Sequence, residues 1–158
     1  MAVACNYDAH GALNIFDTET WKPLLTQKVE PEGLSLAMGR GLNAAAFSPE
    51  GRRIVVGGNI GPARVLDAQT GRLRLELVGH TEAITTVAYS PDGLRIATGS
   101  LDQTVKLWNA TTGREVFTFR GHYGPVTAVE FSKDGSRLVS AGDDGVVRIW
   151  DAGSPINN

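Results

Sequence analysis

An all-β chain of repeated, four-stranded antiparallel units is the fold this sequence predicts, and three observations predict it. Phe47-Ser48-Pro49-Glu50-Gly51, Tyr89-Ser90-Pro91-Asp92-Gly93 and Phe131-Ser132-Lys133-Asp134-Gly135 begin 42 residues apart. Gly79-His80 and Gly121-His122 repeat at the same spacing, and so do Leu66-Asp67, Trp108-Asn109 and Trp150-Asp151. Between these marks, short runs rich in Val, Ile, Thr and aromatics alternate with turn clusters, and helical periodicity is missing. A period in the low forties, with Gly-His near one end of each unit and Trp-Asp near the other, marks a radial array of small sheets rather than one unique core.

The unit starting at Ala83 sets the pattern. Ile84 to Tyr89, Leu94 to Gly99, Thr104 to Trp108 and Arg114 to Phe119 read as strands, closed in turn by Ser90-Pro91-Asp92-Gly93, by Ser100 to Gln103 and by Thr111-Thr112-Gly113. Shifting by 42 preserves the apolar positions: Leu42, Ile84 and Val126; Ala45, Val87 and Val129; Ile54, Ile96 and Leu138. Such units suit a propeller, in which four-stranded blades pack face to face around an axis. With strands lettered a to d from the axis outward, the chain opens in b (Val3 to Cys5), c (Leu13 to Phe16) and d (Pro23 to Gln27). It closes in a (Val126 to Phe131), b (Arg137 to Ser140) and c (Val146 to Trp150).

The expected organisation is therefore a single segment, residues 1–158. It comprises a partial blade over 1–27, a d-to-a loop over 28–40, blades over 41–78 and 79–120, and a partial blade over 121–158. The loop carries eight residues beyond the period, with Pro31, Gly33 and Gly39. Fourteen strands, about three and a half blades, fall short of the roughly 4 to 8 of a closed ring. An incomplete ring is expected, finished by homo-oligomerisation or by upstream blades. A simple pair of chains would duplicate strands b and c at each junction.

Composition narrows the function. With 17 acidic and 15 basic residues and no long like-charge run, the electrostatic footprint of a nucleic-acid or anionic-membrane binder is missing. Cys5 is the only cysteine, which leaves no internal disulfide and no cysteine zinc cluster. No apolar run is long enough to span a bilayer and no secretory signal opens the chain, so a cytoplasmic location is expected.

Over nearly its whole length the chain resembles the WD-repeat β-propellers. Gly79-His80, Tyr89 to Gly93, Ala97-Thr98-Gly99-Ser100, Leu107-Trp108-Asn109 and Thr112-Gly113 carry the resemblance, with Gly121-His122, Ser140 to Asp144 and Ile149-Trp150-Asp151 in the last unit. It implies a buried structural tetrad of His, Ser or Thr, Asp and Trp: His80, Thr98, Asp102 and Trp108, then His122, Ser140, Asp144 and Trp150. In such a network each buried polar atom finds a partner. In the second unit the same positions hold Met38, Val56, Ile60 and Leu66, all apolar together. Wholesale apolar replacement can be nearly neutral, whereas losing one member strands the rest. In the first unit Asn6, His10 and Phe16 leave the set incomplete.

The resemblance also implies a non-catalytic interaction scaffold needing no cofactor and no metal, with a protein or peptide partner held on the axis-facing rim. The rim candidates are Leu101 and Asp143, with Ala83, Thr85, Pro125 and Thr127, and Tyr123 in the neighbouring loop. A rival of another class is a regulatory C-terminal propeller portion of a larger signalling protein or enzyme. A weaker one is a hydrolase built on Ser140, His122 and Asp144, which lacks a sharp nucleophile turn and an oxyanion hole. Gly57-Gly58-Asn59-Ile60-Gly61 leads to no helix and reads as a loose turn rather than a phosphate loop. Arg52-Arg53 reads as a solvated turn edge.

Overall fold

The computed structural model describes residues 41–59 and 61–153 in full, and 2–4, 12–16 and 23–28 by their backbone. Strands β1 (Ala2–Ala4), β2 (Ala12–Phe16) and β3 (Pro23–Lys28) form an antiparallel sheet in chain order. Strands β4 (Leu42–Phe47), β5 (Arg53–Gly58), β6 (Ala63–Asp67) and β7 (Leu73–Leu77) form a four-stranded one. A second four-stranded sheet holds β8 (Ile84–Tyr89), β9 (Arg95–Ser100), β10 (Thr104–Asn109) and β11 (Glu115–Arg120). The last described sheet holds β12 (Val126–Phe131), β13 (Arg137–Gly142) and β14 (Val147–Asp151). No helix occurs among the described residues, so none there is long and apolar enough to cross a membrane. Lys28, assigned from the sequence to the d-to-a loop, belongs instead to β3.

The 42-residue echo has a local cause. Between β8 and β9 the Ser90 hydroxyl donates to the Asp92 carboxylate at 2.5 Å and accepts the Arg95 amide at 2.9 Å. Asp92 also caps the Leu94 amide at 2.9 Å, while Gly93 takes φ +71°, a left-handed conformation that a Cβ disfavours. Ser132, Asp134 and Gly135 repeat this between β12 and β13, with Gly135 at φ +73°.

Apolar faces then stack one sheet on the next. Val55, Val65 and Leu77 pack with Ile84, Ile96 and Trp108, and Val105, Leu107 and Phe119 pack with Val126, Phe131 and Leu138. The approach is close enough to exclude a side chain. A Cβ on Gly57 would stand 2.4 Å from Ile84 Cγ2, and one on Gly99 would stand 2.6 Å from Val126 Cγ1. Gly57 and Gly58 thus end β5, and the glycine run is half strand rather than a loose turn.

Two hydrogen-bonded bridges recur at both of these junctions. Arg53 Nη1 donates to the Ala110 carbonyl at 2.9 Å, and Arg95 Nη1 to the Ala152 carbonyl at 2.8 Å, each spanning 57 residues. At the opposite end of the sheets, Asn43 Nδ2 donates to the Ile84 carbonyl at 2.9 Å and the Thr85 hydroxyl to that of Val126. Arg53 is accordingly no solvated turn residue, though its neighbour Arg52 is exposed. Their period mates Arg137 and Thr127 are exposed, and among the described residues neither reaches a following sheet.

Candidate functional site

The Gly-His turn before the first strand of a sheet, its second strand and the turn after that strand converge at one end. In the β8–β11 sheet, His80 Nδ1–H donates to Asp102 Oδ2 at 2.7 Å and the Thr98 hydroxyl donates to His80 Nε2 at 2.7 Å. Trp108 Nε1–H donates to that hydroxyl at 2.9 Å, so every polar atom of the chain of contacts has a partner. The His tautomer follows from the ionised carboxylate facing Nδ1. The β12–β14 sheet repeats the arrangement. His122 lies 3.0 Å from Asp144 Oδ2 and 2.8 Å from Ser140 Oγ, which accepts the Trp150 indole N–H at 2.8 Å.

Neighbours outside the two quartets complete each carboxylate. Asp102 also accepts the Thr104 hydroxyl at 2.6 Å and the amides of Thr104 and Thr81. Burial works to raise its pKa, but the hydrogen bonds from Thr104 and His80 outweigh it and hold it near about 2. Position 146, the period mate of Thr104, is a valine, and Arg148 Nη1 supplies the missing donor to Asp144 at 2.8 Å. Desolvation opposes ionisation of Asp144, while the Tyr123 amide and His122 overcome it and keep the carboxyl well below the usual range. His80 is shifted down by burial against the pull of Asp102, so it stays neutral at pH 7.

Ser140, His122 and Asp144 therefore stand in the relative geometry of a hydrolytic trio, but the serine is only 1% exposed. Its oxygen is already committed to Trp150 and His122, which leaves no approach for a substrate carbonyl. In the β4–β7 sheet Val56 and Leu66 pack with Ile54 in an apolar cluster. Met38, Ile60, Asn6 and His10 lie outside the described residues, and Phe16 is described by backbone alone. No group of three or more metal-ligating side chains occurs among the described residues.

The rim candidates divide by how their polar atoms are spent. Leu101 and Tyr123 are 40% and 86% exposed, and Asp143 is exposed beside them in sequence to the buried Asp144. The Arg148 guanidinium lies 5.9 Å from the Tyr123 ring centroid. Ala83 and Pro125 are half-buried and use their carbonyls to accept the Leu101 and Asp143 amides at 2.9 and 2.8 Å. Thr85 directs its hydroxyl inward to the Gly99 and Val126 carbonyls, whereas Thr127 is exposed. Sequence reasoning passed over Thr104 and Arg148. Arg64, Lys106 and Arg148 stand at the same 42-residue spacing as the tetrads, a signal that was available.

The family model for the WD domain, G-beta repeat, matches residues 71–109 and 113–151. The chain is a WD-repeat protein. Each matched span runs from the outermost strand of one sheet through the third strand of the next, β7 to β10 and then β11 to β14. The matched spans hold both hydrogen-bonded quartets, and the apolar cluster of Val56 and Leu66 lies before them. A search of the curated proteins finds no match.

Proposed function

We propose that this WD-repeat chain is a non-catalytic scaffold that holds a protein or peptide partner on the rim carrying Leu101, Tyr123 and Asp143. WD repeats in general mediate protein–protein interaction, and their domains are typically non-catalytic. One observation carries the choice of rim. Each exposed residue adjoins a buried member of a quartet: Leu101 precedes Asp102, Tyr123 follows His122 and Asp143 precedes Asp144. Side chains mounted on fixed neighbours lose little freedom on binding, and exposed aromatics make effective anchors. Within this reading residues 41–78 and 79–120 are whole blades of a propeller segment working in the cytoplasm. Residues 1–27 and 121–158 are its partial blades, joined on the N-terminal side by 28–40.

The test compares the unaltered chain with Leu101→Glu, Tyr123→Ala and Asp143→Lys in affinity capture, each variant first shown to melt at the unaltered temperature. A partner identified on the unaltered chain is expected to be lost from at least one variant. Equal retention by all three refutes the rim assignment.

A further inference from the structure

The outer edge of β14 is unpaired among the described residues, and the two four-stranded sheets specify what fits it. In each, the third strand carries a central cation matched by an acid on the fourth. Arg64 Nε meets Glu76 Oε1 at 3.1 Å, and Lys106 Nζ meets Glu115 Oε2 and Thr118 Oγ1, both at 2.8 Å. On either side of that cation the cross-strand partners are apolar: Ala63 with Leu77 and Val65 with Leu75, then Val105 with Phe119 and Leu107 with Phe117.

Strand β14 repeats the third-strand half of this pattern without the other half. Arg148 occupies the cation position and, in place of a fourth-strand acid, turns one of its five N–H groups to Asp144. Its flanking residues Val147 and Ile149 are 65% and 68% exposed, against 0% and 3% for Val105 and Leu107 in β10. A shallow cleft of about 210 Å³, lined by Ile149, Trp150, Asp151, Ser136 and Arg137, continues along the end of the strand.

We propose that this edge receives an extended segment of a partner protein as an added antiparallel strand, with an acidic residue opposite Arg148 and apolar residues opposite Val147 and Ile149. Main-chain hydrogen bonds supply the attachment and the Arg148 charge supplies the selection. The described segments of this chain that carry the pattern, Leu75 to Leu77 and Phe117 to Phe119, are already paired within their own sheets, so the occupant comes from elsewhere. The surface is separate from the rim, and rim variants are expected to leave it intact.

The probe is a labelled synthetic peptide copying residues 71–79, titrated by fluorescence anisotropy against the full chain. Saturable binding is expected, at least tenfold weaker for the same peptide with Glu76→Lys. In the full chain Arg148→Glu is expected to reverse that preference. The two-peptide comparison on the unaltered chain carries the test should Arg148→Glu fail to fold. Absence of saturable binding, or equal binding of the two peptides, overturns the proposal. Self-association of the chain in sedimentation, dissolved by the peptide, overturns the choice of occupant and assigns the edge to a second copy.

Discussion

Replacing arginine by methionine at positions 53, 95 and 137 deletes the same side chain from three period-related places and should cost three different amounts. The Arg95 guanidinium donates to the carbonyls of Ala152, Gly153 and Gly135 at 2.8, 3.1 and 3.1 Å and to Asp92 at 3.2 Å. It also lies 5.7 Å from the Phe131 ring centroid, in a residue 1% exposed. Single hydrogen bonds to a charged group contribute about 1.5–3 kcal/mol, but the four share one desolvated cation and do not add, so removal is expected to cost about 3–5 kcal/mol. Arg53 makes a single bond to Ala110 from a half-buried position, for an expected cost of about 1.5 kcal/mol. Arg137 is exposed, and its loss should fall within about 0.5 kcal/mol of zero. Urea unfolding followed by tryptophan fluorescence measures all three from midpoint shifts at constant slope. Equal costs, or an Arg137 variant as damaged as the Arg95 one, would show that the bridges do not hold the sheets together.

Two other outcomes follow from the buried quartets. Thr98→Val strands the Trp108 indole N–H and His80 Nε2 together, for an expected loss of about 2–6 kcal/mol at roughly 1–3 per orphaned group, read from the same denaturation curves. Acidification should destabilise the chain in two stages. The folded His80 pKa is depressed below 6.5, so the unfolded chain takes up the proton first and stability declines as pH falls from about 6.5. The folded Asp102 pKa is depressed to about 2 from 3.8, so its contribution is complete above 3.8 and disappears as pH falls toward 2. Urea midpoints measured between pH 7 and 2.5 test both stages, and a midpoint flat from pH 7 to 5 contradicts the first.

Strand positions and the two quartets were legible because each depends on residues close in sequence or fixed within one period. Ser-Pro-Asp-Gly turns write their geometry in local hydrogen bonds, and the Asp-to-Trp spacing of six residues places both side chains at one hairpin. What escaped was contact between sheets. Arg53 looks like any charged residue beside a turn until Ala110 is brought across from the following sheet. Gly57 looks like turn material until Ile84 occupies the space where its side chain would be. Both residues nevertheless recur one period later, as Arg95 and Gly99, and a repeated residue with no local role is the trace a junction leaves in sequence. Ala141 stands one period after Gly99, where no following sheet among the described residues demands a glycine.

The 57-residue reach of the arginine bridge sets a clock on synthesis. When Arg53 leaves the ribosome its acceptor at Ala110 does not yet exist, and at about 5–20 residues per second the wait is roughly 3–11 seconds. Arg95 repeats the delay with Ala152. Throughout each interval a sheet can pair its own strands yet keeps one cation and one apolar face unanswered, the state in which nascent chains are most prone to wrong partners. Each newly made sheet is completed by its successor, so the order of translation is also the order in which the molecule becomes safe.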